Sequence, residues 1–116
     1  MGVLLTIIAW TLLTILGIPA VIVGVLYSLI IHKGNSYFKD TAISLDQTGN
    51  VVCQYLFNLI LIKKNGYRFG NPDETISSVL GKNNRGKTLT KLGQFLANLL
   101  NKLDRGHTDK AIDENP

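Results

Sequence analysis

From Met1 through Ile31 the chain carries no charged side chain, and its first formal charge is Lys33. The run from Val3 to Ile31, "VLLTIIAWTLLTILGIPAVIVGVLYSLII", has only Thr6, Thr11, Thr14 and Ser28 as polar side chains, each able to hydrogen-bond back to a helical carbonyl. Such a run reads as a transmembrane helix. A straight helix of this length would measure roughly 44 Å against a hydrocarbon core of roughly 30 Å, so part of it must tilt, kink or project. Pro19 removes one backbone hydrogen bond and crowds the carbonyl four residues back, which predicts a kink at Gly17–Pro19. A hairpin of two spans is excluded, since each arm beside Pro19 would have about a dozen residues. "MGVLL" lacks the positive start of a secretory signal, so the expectation is an uncleaved anchor over residues 1–32.

Of 116 residues, the anchor leaves enough for one small module only. His32, Lys33 and Lys39 follow the apolar run while nothing charged precedes it, which predicts that the C-terminal part faces the cytoplasm or the equivalent interior of a virion. Trp10 and Tyr27 are placed either to anchor at the membrane interface or to pack against a neighbouring helix. The single Cys53 excludes an internal disulfide and any cysteine-rich metal site.

Beyond a polar linker over 33–40, the segment from Thr41 to Lys64 predicts an amphipathic helix of about twenty residues. Gln47, Asn50, Gln54 and Asn58 recur every three or four positions, an amide stripe that would be costly against lipid. This helix is therefore expected in the interface plane or packed on the anchor, with Lys63 and Lys64 meeting anionic headgroups; a second full span through the charge-free stretch from Gln47 to Ile62 is the alternative, and whether Val51–Ile62 inserts in the bilayer is left open. In "GNPDETISSVLGK", Asn71 as cap, Pro72 at the first helical position and Glu74 three after the cap predict a short helix that stops at Gly81. Lys82, Arg85 and Lys87 then form a basic loop. A third amphipathic helix, "TLTKLGQFLANLLNKLDRGH", carries Leu89, Leu92, Phe95, Leu96, Leu99, Leu100 and Leu103 at helical spacing. The module thus covers 41–106, and 107–116 is a polar tail with a loose end, into which Ile112 can tuck back.

"GKNNRGKT", Gly81 to Thr88, fits the phosphate-loop pattern G-x-x-x-x-G-K-[ST]. No buried strand leads into it and no alternation of strand and helix surrounds it, so the match is read as coincidental. Asp73 and Glu74 are adjacent and point to different sides of a helix, which argues against a paired-carboxylate site. Ser77 and Ser78 have no histidine near them in sequence, and a lone His107 at a helix end is more often neither metal ligand nor proton carrier. The sequence therefore predicts no catalytic residue, no metal and no cofactor.

The ordered segments "LDQTGN", "GNPDETISSVLGK" and "DRGHTDKAI" resemble a family of small uncharacterised proteins encoded by bacteriophages and prophages. Asp46, Gln47, Asn50, Gly70, Pro72, Asp73, Glu74, Thr75, Ser77, Gly81, Lys82 and His107 match its D-Q-x-x-N, G-x-P-D-E-T-x-S and histidine positions, over roughly residues 45 to 112. Where relatives often carry arginine and aromatic residues in the second half, this chain has Val79 and an aliphatic run. The resemblance implies a viral origin and offers no biochemical activity. It also suggests that Asp46, Gln47, Asn50, Asn71, Glu74 and His107 form a polar network holding three helices together.

Together these readings predict an all-α chain with one long transmembrane helix and a small module of amphipathic helices. The expected role is structural: a minor phage protein of a virion's internal membrane, linking lipid to capsid or genome through Lys63, Lys64, Lys82, Arg85 and Lys87. The alternative is a host-membrane effector, holin-like or blocking superinfection, absent from particles. Expected partners are the bilayer and either capsid protein or copies of the chain, associating through Gly17 and Gly24; nucleic acid is the weaker candidate.

Overall fold

The computed structural model describes residues 1–30 and 36–116, which fall into two compact units, Met1–Thr41 and Ala42–Pro116. In the first unit the apolar run forms one helix, α1 (Gly2–Ile30), which passes through Gly17 and Pro19 without a break. Thr6, Thr11 and Thr14 donate their hydroxyls to the carbonyls of Gly2, Ile7 and Trp10 at 2.7, 2.8 and 2.7 Å. These side chains therefore ask nothing of their surroundings. Ser28 is buried, while large apolar side chains from Val3 to Ile30 stand exposed around the helix. With 29 residues, α1 is about 44 Å long, and it is the one described helix long and apolar enough to cross a bilayer.

The linker proves shorter than its sequence suggests. Helix α2 (Tyr37–Val52) already begins at Tyr37, because the Ser36 hydroxyl donates to Asp40 Oδ2 at 2.7 Å and the Ser36 carbonyl accepts from Asp40 N at 2.8 Å. His32, Lys33 and the rest of the expected linker up to Asn35 lie outside the described residues. The single twenty-residue helix expected from Thr41 is corrected to two pieces, α2 and α3 (Gln54–Ile60), separated at Cys53. There Gln54 Nε2 donates to the Val51 carbonyl at 2.9 Å, the acceptor that a backbone N–H four residues on uses in a regular helix.

The start of α4 (Ile76–Gly86) is also displaced from the expected cap. Thr75 is the N-cap, in extended conformation, and its Oγ1 accepts from Ser78 N at 3.0 Å. Asn71 instead closes a tight turn, its Oδ1 accepting from Asp73 N at 2.9 Å. Nor does Gly81 end the helix. It sits in the middle of α4, buried, where a Cβ would collide with the Thr108 carbonyl. The basic loop is therefore the last turns of α4, which ends at Lys87 in the left-handed region with φ 57° and ψ 38°. Its N–H bonds to the carbonyls of Asn83 and Asn84.

Helix α5 (Lys91–Leu103) starts at Thr90, whose hydroxyl caps Gly93 N at 3.2 Å and donates to the Ile60 carbonyl at 2.6 Å. Leu89 lies outside it, in an isolated antiparallel bridge with Ile62. Among the described residues no strand forms. A short α6 (His107–Lys110) follows, and the polar tail folds back on α4: Thr108 is fully buried, Ile112 lies against Gly81, and Asp113 N donates to Ser78 Oγ at 2.9 Å. The apolar core gathers Leu61, Ile62, Phe69, Val79, Leu80, Leu89 and Ala97, with Phe57 edge-on to Phe69 at 5.4 Å.

A lysine in the left-handed region carries a steric cost of about 1 kcal/mol that glycine avoids. Lys87→Gly is expected to stabilise the chain by about 1 kcal/mol, read as a raised midpoint of thermal unfolding in detergent. An unchanged or lower midpoint would contradict the assignment of this helix end.

Candidate functional site

Helix N-termini present backbone N–H groups that lack helical partners, and a carboxylate placed there satisfies them and complements the helix dipole. Asp46, on α2, does this for α4. Its Oδ1 accepts from Ile76 N at 2.7 Å and its Oδ2 from the Ser77 hydroxyl at 3.0 Å. Ser77 Oγ is also 3.1 Å from His107 Nε2, and His107 Nδ1 lies 3.1 Å from Asp104 Oδ2. Lys110 Nζ donates to the other Asp104 oxygen at 3.0 Å. Hydrogen bonds from Lys110 and then from His107 hold the Asp104 carboxyl below its ordinary value. One polar chain thus runs from α2 through α4 to α6 and the end of α5.

Next to it, the amides of α2 and α3 bind the loop that leads into α4. Asn50 is fully buried. Its Nδ2 donates to the carbonyls of Asn71 at 3.0 Å and Glu74 at 2.8 Å, and its Oδ1 accepts from Gly70 N at 3.0 Å. Gln47 Nε2 donates to the Asp73 carbonyl at 3.2 Å. Asn58 pairs with both backbone groups of Phe69, at 3.1 and 2.7 Å. From the other side Asn83 does the same for Tyr67, accepting from its N–H and donating to its carbonyl at 2.8 Å each. A loop without regular structure has its main chain satisfied by side-chain amides, which imitate neighbouring strands.

Glu74 is the most deeply buried charge, with no exposed surface. Its Oε1 accepts from the Tyr67 hydroxyl at 2.8 Å, and its Oε2 accepts from Ser78 Oγ and Lys82 Nζ at 2.6 Å each. Lys82 Nζ also stands 4.3 Å from the centroid of the Tyr67 ring. Burial opposes the Lys82 charge, but its hydrogen bonds to Glu74 and Tyr67 outweigh that, and the ammonium is shifted upward overall. Burial and the bond to Glu74 likewise push the Tyr67 phenol above 10.0, against a smaller opposing effect of Lys82.

Among the residues expected from the sequence, Asp46, Gln47, Asn50, Asn71, Glu74 and His107 do converge, although Glu74 acts as a buried anion and not as a capping-box partner. Ser77, Ser78, Asn83, Asn58, Tyr67 and Asp104 complete the lattice and were not singled out for it. The basic residues divide. Lys82 is engaged by Glu74, and Arg85 pairs with Asp109 at 3.0 Å and Glu114 at 3.3 Å. Lys63, Lys64 and Lys87 are exposed. In the first unit, Gly24 lies under the ring of Tyr37, where a Cβ would overlap it, whereas Gly17 meets only the Leu13 side chain at 3.4 Å. Gly24 is therefore covered by a residue of its own chain.

Two chemical readings can be weighed on this geometry. In the phosphate-loop octapeptide, Gly81 to Gly86 belong to α4, so their N–H groups point along a helix and cannot wrap a phosphate. The order Asp104, His107, Ser77 matches the acid, base and hydroxyl of a hydrolytic triad. Here, however, the hydroxyl is also bonded to the Asp46 carboxylate and Ser77 is only 5% exposed, so a substrate carbonyl has no approach and would meet negative charge where an oxyanion hole needs donors. Among the described residues no group of three metal-ligating side chains comes together.

The fold and site thus define a class: an all-α chain with one long apolar helix and a small helical module held by polar side chains. No family model, curated protein or solved structure matches it.

Removing Lys82 leaves Glu74 buried without its counter-charge. Lys82→Met is expected to cost about 3 kcal/mol near neutral pH, measured by urea unfolding in detergent. Because Lys82 and Tyr67 are both raised in the folded chain, their contributions are full below the ordinary values of 10.5 and 10.0 and fade as pH climbs beyond them. The unsubstituted chain should therefore lose stability above about pH 10 more steeply than Lys82→Met does. Parallel curves would refute the coupling.

Proposed function

We propose that this chain is a non-enzymatic bacteriophage membrane protein: α1 spans a bilayer, and the module beyond it joins that membrane to capsid or genome, as a minor component of a virion's internal membrane. One observation carries the anchor. α1 exposes large apolar side chains on every side from Val3 to Ile30, and the hydroxyls of Thr6, Thr11 and Thr14 are bonded to its own backbone. A helix apolar all round needs an apolar solvent, and its length suits a hydrocarbon core.

The non-enzymatic part rests on the way the polar groups of the module are used. Asp46, Glu74, Asn50 and His107 are each committed to another element of the fold, and the phage resemblance lies on these same positions. Linkage is supported by charge. The chain carries a net +4, and Lys63, Lys64 and Lys87 are exposed for headgroups, an acidic capsid surface or nucleic acid. Lys33 and Lys39, which follow the apolar run closely, favour the cytoplasmic or virion-interior side for the module.

Alkaline carbonate is expected to leave the full chain in the membrane pellet, and mass spectrometry of gradient-banded particles is expected to detect it. Release by carbonate would remove the anchor. Retention in host membranes with absence from particles would replace the virion role by that of a host-membrane effector.

A further inference from the structure

Helix α5 carries more apolar surface than the core can use. At about 100° per residue, Gly93 and Ala97 mark the buried side, and Leu96 and Leu100 reach partly into the core beside them. Leu92, Phe95, Leu99 and Leu103 lie instead on an arc of about 80°, turned roughly 120° from that buried centre. Their exposures are 50, 65, 42 and 77%. The stripe is about 17 Å long, three turns of helix. Leu59 on α3 is likewise 78% exposed, and just beyond α3 the Leu61 carbonyl accepts from Thr90 N, the residue before α5, at 3.0 Å.

The charges beside this stripe say what covers it. Lys91 and Lys102 fall within about 40° of Phe95, on the polar edge of the arc, one at each end of the helix. Between them α5 has no carboxylate. The remaining face is amide: Gln94, Asn98 and Asn101. An apolar strip edged by lysines, with uncharged polar groups behind, is the pattern of a helix lying in the plane of a bilayer interface, where lysine stems run along the apolar zone and their ammonium groups reach anionic phosphates. Resting on the reading of α1 as an anchor, which confines the module to the membrane surface, we infer that α5 is a second, peripheral membrane contact. Leu92, Phe95, Leu99 and Leu103 enter the boundary between headgroups and acyl chains of an anionic leaflet, and Lys91 and Lys102 hold it there.

The segment of α2 and α3, expected in the interface plane or packed on the anchor, turns Asn50 and Asn58 to the loop over 66–74, and α5 is a contact in addition to it. Such a contact gives the module a second attachment to the surface besides α1. Insertion weakens as the leaflet loses negative charge, since each lysine near such a surface is held by the anionic headgroups.

The full chain carrying Trp10→Phe and Phe95→Trp, reconstituted in vesicles of phosphatidylcholine and phosphatidylglycerol, tests this with a single indole. Bromine-labelled acyl chains are expected to quench most of its emission and its maximum should lie to the blue. The same chain with Asn98→Trp in place of Phe95→Trp should keep its emission. Adding Lys91→Glu and Lys102→Glu, or using phosphatidylcholine alone, should cut the quenching at position 95 by several fold. Equal quenching at both positions, or an indole at position 95 shielded from lipid by copies of the chain, would overturn the inference. Carbonate extraction of the same vesicles separates the two failures: retention without quenching refutes the α5 contact alone, and release refutes the anchor.

Discussion

Asn50 is the residue on which the module's geometry turns. A buried amide must find partners for its donors and its acceptor or lose the hydration it gave up, about 1–3 kcal/mol for each group left unmet. Asn50 finds them all on the main chain between Gly70 and Glu74. That stretch has no helical or sheet ladder of its own, so its backbone polarity would otherwise have to face water. Because the carbonyls of Asn71 and Glu74 are fixed, Thr75 arrives in the extended conformation needed to cap α4, and the first N–H of α4 arrives on Asp46. Position along α2 matters as well: Asp46 and Asn50 are one helical turn apart and meet consecutive parts of the same approach to α4.

Glu74 shows the same logic with charge. Burying a carboxylate is costly, and replacement of such pairs by apolar residues is often neutral or stabilising. The contacts of Glu74 therefore argue for specificity more than for stability. Lys82 is two turns along α4 from Glu74, Tyr67 comes from the preceding loop, and Ser78 links the carboxylate to Asp113 in the C-terminal segment. Only one arrangement of loop, helix and tail satisfies all four. The tail is held in place by this and by Thr108, whose carbonyl rests on Gly81 and whose N–H and hydroxyl both meet Asn101.

What the sequence makes legible follows from how local the deciding physics is. The apolar run of α1 needs no partner to be recognised. The amide stripe through Asn50 and Asn58 shows as a helical period, and the polar residues that it meets can be anticipated as a network even though their pairings cannot. The errors fall where a distant residue overrides the local signal. The cap expected at Asn71 falls at Thr75, because Glu74 is drawn inward by Lys82 and Tyr67. Gly81, expected as a helix stop, is a point of close packing, decided by Thr108 far along the chain. Lys87 gives no local sign that it will take the left-handed end of α4, a place where glycine is the usual choice. Ser77 and His107 are 30 residues apart and meet only because α6 folds back across α4.

The polar lattice also explains how so small a module can turn apolar side chains outward. In a soluble domain of this size, Leu92, Phe95, Leu99 and Leu103 would be needed for the core, since small domains bury a modest fraction of their surface. Here Asn50, Asn58, Asn83, Asp46 and Glu74 fix the loop, α4 and the tail through directional bonds, and a core of Leu61, Ile62, Phe69, Val79, Leu80, Leu89 and Ala97 suffices. Such a division is favourable beside a membrane. Water gives no reward for the exposed stripe of α5, whereas the bilayer interface proposed for it would. On that proposal, the apolar side chains turned outward on α1 and on α5 are two consequences of one solvent.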